Sequence, residues 1–195
     1  MDLETVLNEE LGVFLYKGTP LIRVSDVLVK GGIVDPRFFT ELGRVRGTAV
    51  HEAVYLHIQN DLCFETLHAV VRPYVEAYLS FEELTGFKPI LAFCEKRLIN
   101  PFYYYTGRLD LLGWLNGKLV VIDLKSGYSK AARYQTAAYS QFPEIIALGH
   151  PIYRFDLQLT DKGKFKLNPH VDPNDWLIFL NALKAAREVA LRESA

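Results

Sequence analysis

Two aspartates and a lysine on a predicted hairpin are the side chains in this chain best suited to chemistry. Asn116 and Gly117 separate two apolar runs, and an Asn-Gly pair in that setting predicts a two-residue hairpin turn. With this turn, Asp110 lies opposite Asp123, and directly opposed residues have Cβ atoms about 4.5–5.5 Å apart. Two carboxylates at that separation repel each other, and a cation between them removes the repulsion.

Lys125 follows Asp123 by two residues, so its side chain is expected on the same face of the strand. Apolar residues flank both aspartates, which predicts partial burial, and buried charges are paired or bind metals. The carbonyl oxygen of Leu124 is a further candidate ligand. The set favours a metal site acting on phosphodiester bonds, in which Lys125 orients or deprotonates water and stabilises phosphate charge. In the alternative interpretation, the aspartates form an exposed pair neutralised by nearby cations such as Lys125.

The composition is that of a single globular domain over residues 1–195. Half of the chain is apolar, 23% is charged and the net charge is −1, a balance that leaves nucleic-acid binding open because a local basic patch decides it. We expect an N-terminal hairpin and helices over 1–86, a catalytic core over 87–170 and a C-terminal helix over 172–193. The N-terminus lacks the apolar segment of a signal peptide and no apolar run approaches a membrane span, which predicts a cytoplasmic protein without membrane contact.

The chain contains two cysteines, Cys63 and Cys94, without CxxC or His-rich spacing. They cannot by themselves hold a zinc ion or an iron–sulfur cluster. We expect each to be a small buried residue in a reducing compartment.

The order of predicted elements indicates an α/β fold with a central mixed sheet flanked by helices on both faces. A hairpin turns at Lys17 and Gly18, and Ser25 is expected to cap a short helix that ends near Lys30. Further helices are predicted at 45–59, 64–84, 130–148 and 172–192, and strands at 89–99, within 102–125, at 151–159 and at 165–167.

Two more residues outside the hairpin are candidates for the site. His51 lies on the predicted helix 45–59 and Glu95 on the predicted strand 89–99. A ring nitrogen together with carboxylates suits manganese or iron somewhat better than magnesium, although magnesium remains usable. The alternatives are a packed histidine, and a glutamate that pairs with Lys96 or Arg97.

Gln135 and Tyr139 are spaced i and i+4, so they share one face of the predicted helix that begins soon after Lys125. Side chains on such a helix could bind a phosphate or stack on a base. In the alternative interpretation, Gln135 and Tyr139 only form part of a polar helix surface. Basic residues occur on both sides of the site in sequence. If they border one cleft they form a track for phosphates; they are Arg23, Lys30, Arg37, Arg44, Arg46, Lys125, Lys130 and Arg133.

Tyr104 lies in the strand predicted to lead into the first aspartate of the hairpin. Side-chain alternation along a strand would place it on the face of Asp110, where it could stack on a base. Packing in the core is the alternative for Tyr104.

These motifs together resemble the RecB-like exonuclease branch of the PD-(D/E)XK nuclease superfamily. The order is RGTxxH at 46–51, Glu95, GxxD at 107–110, DxK at 123–125 and QxxxY at 135–139. Each motif alone is weak, whereas all of them in order over 46–139 are specific. The segment LIRVSDVL at 21–28 is also similar to the beginning of compact phage and mitochondrial single-strand exonucleases of this branch.

The resemblance implies a restriction-endonuclease-like core and a DNase that acts on single strands or DNA ends. It implies Mg²⁺ or Mn²⁺ as cofactor and no iron–sulfur cluster, because the four cysteines of cluster-bearing relatives are missing. A helicase or single-strand binding protein would be a separate partner. The implied metal ligands are His51, Asp110, Asp123 and the Leu124 carbonyl, the catalytic residues Lys125, Asp123, Asp110 and Glu95, and the DNA-binding residues Gln135, Tyr139, Arg46, Arg108, Lys130 and Arg133.

Two other functions remain open at this point. A structure- or sequence-specific endonuclease of the same fold usually needs a dimer and a groove-reading element, and no such element is obvious in the sequence. A non-catalytic DNA-binding module would be expected to lose the metal residues first, yet every polar position of the motifs is filled.

Overall fold

The computed structural model describes residues 5–8, 13–38 and 40–193. Within these ranges the chain forms ten strands and six α-helices, with short 3₁₀ turns at Pro36–Phe38, Phe64–Thr66 and Leu91–Phe93. The elements in chain order are β1 Thr5–Asn8, β2 Val13–Tyr16, β3 Thr19–Arg23, α1 Val24–Lys30, α2 Glu41–Ile58, α3 Arg72–Thr85, β4 Lys88–Pro89, β5 Lys96–Asn100, β6 Tyr105–Leu109, β7 Leu111–Leu115, β8 Lys118–Lys125, α4 Ala132–Tyr139, α5 Pro143–Ile146, β9 Ile152–Leu159, β10 Phe165–Pro169 and α6 Asn174–Glu193.

The strands form two mixed sheets with the orders β1-β2-β3-β6-β5 and β10-β9-β8-β7-β4. The pairs β3–β6 and β8–β9 are parallel, and the other neighbours are antiparallel. The chain passes from the first sheet to the second at Asp110, the single residue between β6 and β7. The predicted α/β fold with a restriction-endonuclease-like core is confirmed, with the strands divided between two sheets rather than one.

Helices cover both faces of β8, the strand that carries the DxK motif. The side chains of Val120, Ile122 and Leu124 are buried against α2 and α3. Those of Leu119 and Val121 are buried on the other face, against α1, α4 and α6. Because side chains alternate along a strand, the two polar residues at the end of β8 lie on the face of α4.

The predicted hairpin is confirmed in turn type and register. Asn116 and Gly117 have φ values of 49° and 73°, as a type I′ turn requires at both central positions. Leu115 pairs with Lys118, and Leu111 with Ile122. One further step along this register places Asp110 across from Asp123.

The first long helix begins earlier than predicted, at Glu41. The Oγ1 atom of Thr40 accepts a 3.1 Å hydrogen bond from the backbone N–H of Gly43, which satisfies one free donor of the first turn. The Arg-Gly-Thr segment at 46–48 therefore lies inside α2. The prediction that α1 is capped by Ser25 is wrong, because α1 begins at Val24 and no side chain caps it.

Two predicted helices and one predicted strand are shorter than expected. The helix predicted over 64–84 begins only at Arg72, with Pro73 in its first turn, where a missing N–H costs little. The helix predicted over 130–148 is divided into α4 and α5, and Pro143 opens the second piece. The strand predicted over 89–99 is interrupted by the 3₁₀ turn Leu91–Phe93.

Tyr104 does not lie in a strand. It precedes β6 and has a φ of 45°, so the alternation that was to place it on the face of Asp110 does not apply. None of the helices in the described part of the chain is both long and apolar enough to cross a membrane.

Candidate metal centre

Three side chains from separate parts of the chain converge at the junction of the two sheets. The ligand atoms of His51, Glu95 and Asp110 all lie within 4.8 Å of one another. His51 Nδ1 is 3.0 Å from Glu95 Oε1 and 3.6 Å from Asp110 Oδ1. The helix α2 thus places a ring nitrogen beside two carboxylates, one directly before β5 and one directly after β6, at the same end of this strand pair.

Glu95 reaches this cluster from a turn, and its predicted place in a strand is wrong. It lies between the 3₁₀ turn and β5 with a φ of 51°, a conformation uncommon outside glycine and typical of constrained sites. Its backbone N–H donates a 3.0 Å hydrogen bond to the carbonyl of Asp110. Arg108 Nε lies 2.9 Å from its Oε2 atom, so the carboxylate is held from both sides.

Asp110 and Leu124 are joined across the hairpin. The backbone N–H of Leu124 donates a 2.8 Å hydrogen bond to Asp110 Oδ2. The carbonyl oxygen of Leu124 lies 3.1 Å from His51 Nε2. The carbonyl oxygen of Leu124 therefore faces the Nε2 atom of His51, whereas Glu95 and Asp110 lie near its Nδ1 atom.

Asp123 and Lys125 form an ion pair next to this cluster, in which Asp123 is fully buried and Lys125 partly buried. Lys125 Nζ is 2.6 Å from Asp123 Oδ2, whereas Asp123 Oδ1 has no hydrogen-bond partner among the described residues. Burial raises the pKa of Asp123 to about 7, against the opposing effect of Lys125. Burial alone would lower the pKa of Lys125, but the Asp123 and Asp110 charges raise it above its ordinary value. Asp123 is outside the group of three ligand atoms.

The electrostatics of the cluster are those of a cation site. Burial lowers the pKa of His51, but the Asp110 charge and the Glu95 hydrogen bond outweigh it and raise the pKa to about 9. Both ring nitrogens face oxygen atoms. An imidazole nitrogen with carboxylate and carbonyl oxygens is a donor set that divalent manganese or magnesium accepts. With the unpartnered Oδ1 atom of Asp123 alongside, the residues present fit a divalent cation.

A second chain of contacts leads from Lys125 to the helix α4. Lys125 Nζ donates a 3.3 Å hydrogen bond to Gln135 Oε1, and Gln135 Nε2 donates a 2.8 Å bond to the hydroxyl of Tyr139. Burial raises the pKa of Tyr139 well above its ordinary value, so the phenol stays neutral. The i, i+4 spacing thus places both side chains on the face of α4 that points to the site.

Packing explains why position 107 is a glycine, which the sequence alone did not reveal. A Cβ atom at this position would lie 2.7 Å from Cε1 of Tyr139, closer than ordinary packing allows. The glycine of the GxxD segment therefore lets the tyrosine ring lie directly against β6.

Predicted basic residues before and after the site line two adjoining cavities, and Tyr128 and Ser129 line both. Arg44, Arg46 and Lys125 line one cavity of about 680 Å³, whereas Lys130 and Arg133 line another of about 600 Å³. Arg46 donates a 3.3 Å hydrogen bond to the carbonyl of Ser126. These members of the predicted track for phosphates are therefore divided between two cavities that adjoin.

Several of the predicted basic side chains are already in ion pairs with described residues. Arg133 lies 2.6 Å from Asp175 and 2.8 Å from Asp172. Arg37 is paired with Asp35 at 2.6 Å. The aspartates beside Arg133 were not anticipated, because they come from the region of α6, about forty residues later in the chain.

Asp156 is a further acidic residue that sequence reasoning missed. It pairs in register with Asp123 across the parallel strands β8 and β9, and Gln158 pairs with Lys125. Asn168 Nδ2 donates a 2.8 Å hydrogen bond to Asp156, and His170 lies 2.8 Å from it. A polar residue every second position in the apolar strand 152–159 was the available signal.

Comparison with solved structures finds similarity in fold. A candidate exonuclease from Eubacterium rectale matches with a TM-score of 0.55 and 12% identity over 88% of this chain and 80% of that one. SSO0001 matches with a TM-score of 0.43 and 15% identity over 87% and 76% of the two chains. LHK-Exo, solved in complex with dAMP, gives 0.39 and 14% over 88% and 89%. No protein-family model and no curated protein matches the sequence.

These findings define the chain as an α/β protein that shares the fold of the Eubacterium rectale protein and has a candidate acidic metal site. At 12% identity the likeness to the Eubacterium rectale protein shows the fold alone. What this chain does with that fold is therefore argued from its own side chains.

Proposed function

We propose that the protein is a divalent-metal-dependent deoxyribonuclease, and that it is an exonuclease acting on single-stranded DNA or on DNA ends. The observation that carries the proposal is the convergence of His51, Glu95 and Asp110 within 4.8 Å beside the Lys125–Asp123 pair. Nitrogen and oxygen ligands next to a lysine suit hydrolysis of a phosphodiester bond.

The residues that would hold the metal are His51, Asp110, Asp123 and the Leu124 carbonyl, with Glu95 as a further ligand. Bound Mg²⁺ or Mn²⁺ would supply a Lewis acid and a water of lowered pKa. Lys125 would stabilise negative charge at the phosphate. Gln135 fixes the position of the Lys125 ammonium by a 3.3 Å hydrogen bond, and Tyr139 in turn fixes Gln135.

DNA would approach along the cavity of about 680 Å³ that Arg46, Lys125 and Gln135 line. Phosphate contacts from arginine and lysine position a strand without reading its sequence. Arg108, Lys130 and Arg133 remain candidates for further contacts. The Eubacterium rectale neighbour is itself described as a candidate exonuclease, which supports the choice of reaction.

The remaining parts of the proposal follow from the motif resemblance. We infer a RecB-like member of the PD-(D/E)XK superfamily that folds as one domain over residues 1–195 and works in the cytoplasm in DNA replication, recombination or repair. A helicase or a single-strand binding protein would be a separate partner, and no iron–sulfur cluster is expected.

The test is cleavage of end-labelled linear single strands and of closed single-stranded circles in Mg²⁺, in Mn²⁺ and in EDTA. An end-dependent exonuclease degrades the linear strand with metal and leaves the circle intact. Cleavage of the circle would instead indicate an endonuclease of the same fold. Full activity in EDTA would overturn the metal-dependent mechanism, and tight binding without turnover in either metal would indicate a non-catalytic module.

A further inference from the structure

Three arginine side chains surround a cavity next to the candidate metal centre. The cavity has a volume of about 370 Å³. Arg23 comes from the end of β3, Arg97 from β5 and Arg108 from β6. The wall is completed by Val24, Ser25, Gly107 and Tyr139.

The strand register brings two of these charges face to face. Arg97 and Arg108 are directly opposed partners in the antiparallel pair β5–β6. Arg23 is added by β3, which runs parallel to β6 on its other side. Like charges directly opposed across a pair of strands destabilise it, so a negative group among the guanidinium groups would relieve this repulsion.

The carboxylates that the structure describes around the cavity balance only part of this charge. Arg23 is paired with Asp26 at 2.8 Å, and Arg108 with Glu95 at 2.9 Å. The Arg97 guanidinium lies over the ring of Phe14, 4.1 Å from its centroid, and no carboxylate partner for it occurs among the described residues. Burial, together with the charges of Arg108 and Arg23, lowers the pKa of Arg97. One positive charge at this cavity is therefore uncompensated by those residues.

Two residues that line the cavity, Arg108 and Tyr139, link it to the candidate metal centre through their contacts. Arg108 contacts Glu95, which contacts His51. Tyr139 lines the cavity and is hydrogen-bonded to Gln135. A group bound among the arginines would thus lie beside the cleavage site, on the side of the cluster that the carboxylate of Glu95 faces.

We propose that the cavity bounded by Arg23, Arg97 and Arg108 binds a phosphate group of the nucleic-acid strand that the site cleaves. The planar guanidinium fork matches the oxygens of a phosphate. The inference rests on the proposed function in taking nucleic acid as the source of that phosphate. Both a terminal phosphate and an internal phosphodiester carry this chemistry, and the experiment distinguishes them.

The experiment measures binding of an internally fluorescein-labelled oligothymidylate by fluorescence anisotropy, in EDTA, over a range of salt concentrations. The strand carries a 5′-phosphate, a 5′-hydroxyl or a 3′-phosphate. Arg97→Gln is compared with Arg72→Gln, because Arg72 also stacks on an aromatic ring, that of Phe64 at 4.8 Å, but does not line this cavity.

Arg97→Gln is expected to weaken binding about tenfold, since a charge-assisted hydrogen bond is lost. The slope of log K against log salt should become shallower by about one. Arg72→Gln should change neither quantity by more than a small factor. Arg97→Lys keeps the charge but loses the fork, and should weaken binding less than Arg97→Gln does; thermal melts by circular dichroism establish that each variant is folded.

The three strands identify the source of the phosphate. A loss confined to the 5′-phosphorylated or the 3′-phosphorylated strand supports a terminal phosphate, and an equal loss on all three supports an internal phosphodiester. Binding by folded Arg97→Gln and Arg97→Lys equal to that of Arg72→Gln on every strand, with the salt slope unchanged, would overturn the inference.

Because binding is measured without metal, its outcome is independent of cleavage. A protein that binds through Arg97 but never cleaves with Mg²⁺ or Mn²⁺ would overturn the proposed function and leave this site standing. A protein that cleaves but binds independently of Arg97 would overturn this site alone.

Discussion

The Nδ1 atom of His51 lies 3.0 Å from Glu95 Oε1, which joins two residues that are 44 positions apart in the chain. The contact links the helix α2 to the left-handed turn in front of β5. Asp110 completes the group within 4.8 Å. A ring nitrogen held by two carboxylates is the centre of the proposed metal site.

Replacing Glu95 by Gln should weaken binding of Mn²⁺ by at least about tenfold, because a charged oxygen beside the metal is removed while the size of the side chain is kept. Isothermal titration calorimetry with Mn²⁺ measures this without any cleavage assay. Glu188→Gln, an exposed position on α6, is the matched control. Equal Mn²⁺ affinity for Glu95→Gln and the control would remove Glu95 from the site.

Lys125→Gln should lower kcat for cleavage of single strands by about 10²–10³, the effect typical of losing one group that stabilises transition-state charge. Strand affinity in EDTA should fall much less, because other cations remain. Lys118→Gln is the control, since Lys118 is exposed at the beginning of the same strand β8. A variant at position 125 that cleaves at the rate of the control would contradict the role given to this lysine.

Gly107→Ala should destabilise the protein by about 1–3 kcal/mol, the usual cost of overpacking a core. The new Cβ would lie 2.7 Å from Cε1 of Tyr139, so the ring and its bond to Gln135 must shift and cleavage should fall as well. Urea denaturation measures the free energy of unfolding. Gly127→Ala is the stability control because nothing lies within 4 Å of its Cβ position; equal losses at both positions would refute the packing argument.

Asp175→Asn should destabilise the protein by about 3–5 kcal/mol, as expected when one partner of a buried ion pair is removed. The fully buried Asp175 lies 3.1 Å from Arg154 and 2.6 Å from Arg133. Most of the loss should come from Arg154, which is the more buried arginine. Urea denaturation is compared with that of Asp161→Asn in an exposed turn; a similar small change in both would show that this network contributes little.

The two cysteines should differ in reactivity. Burial raises the pKa of the Cys94 thiol to about 11, so at pH 8 it is neutral as well as buried. The prediction that both cysteines are buried is wrong for Cys63, which is exposed. Since the thiolate is the nucleophile, native protein should react rapidly with one equivalent of Ellman's reagent and unfolded protein with two. Cys63→Ser should abolish the rapid reaction, and a persisting rapid equivalent would show that Cys94 is accessible.

The sequence by itself determined the local frame of the site. The Asn116–Gly117 pair fixed the turn, the turn fixed the hairpin register, and the register placed Asp110 across from Asp123. The i, i+4 spacing of Gln135 and Tyr139 likewise fixed their common face. These predictions were confirmed because turn chemistry and side-chain periodicity depend on neighbouring residues alone.

Only the tertiary structure decided the conformations and the partners that depend on packing between distant segments. Glu95 was expected in a strand, yet its position in a left-handed turn depends on the hydrogen bond to the Asp110 carbonyl. Arg133 was predicted from the sequence as a DNA contact, but its ion pair with Asp175 of a later helix could not be read from the sequence. The division of the strands between two sheets, and the meeting of Arg97 with Arg108, follow from long-range strand pairing. Residue types and their spacing specify which side chains can do chemistry. Which of those side chains come into contact depends on packing between segments tens of residues apart, because burial and charge pairing are properties of the assembled core.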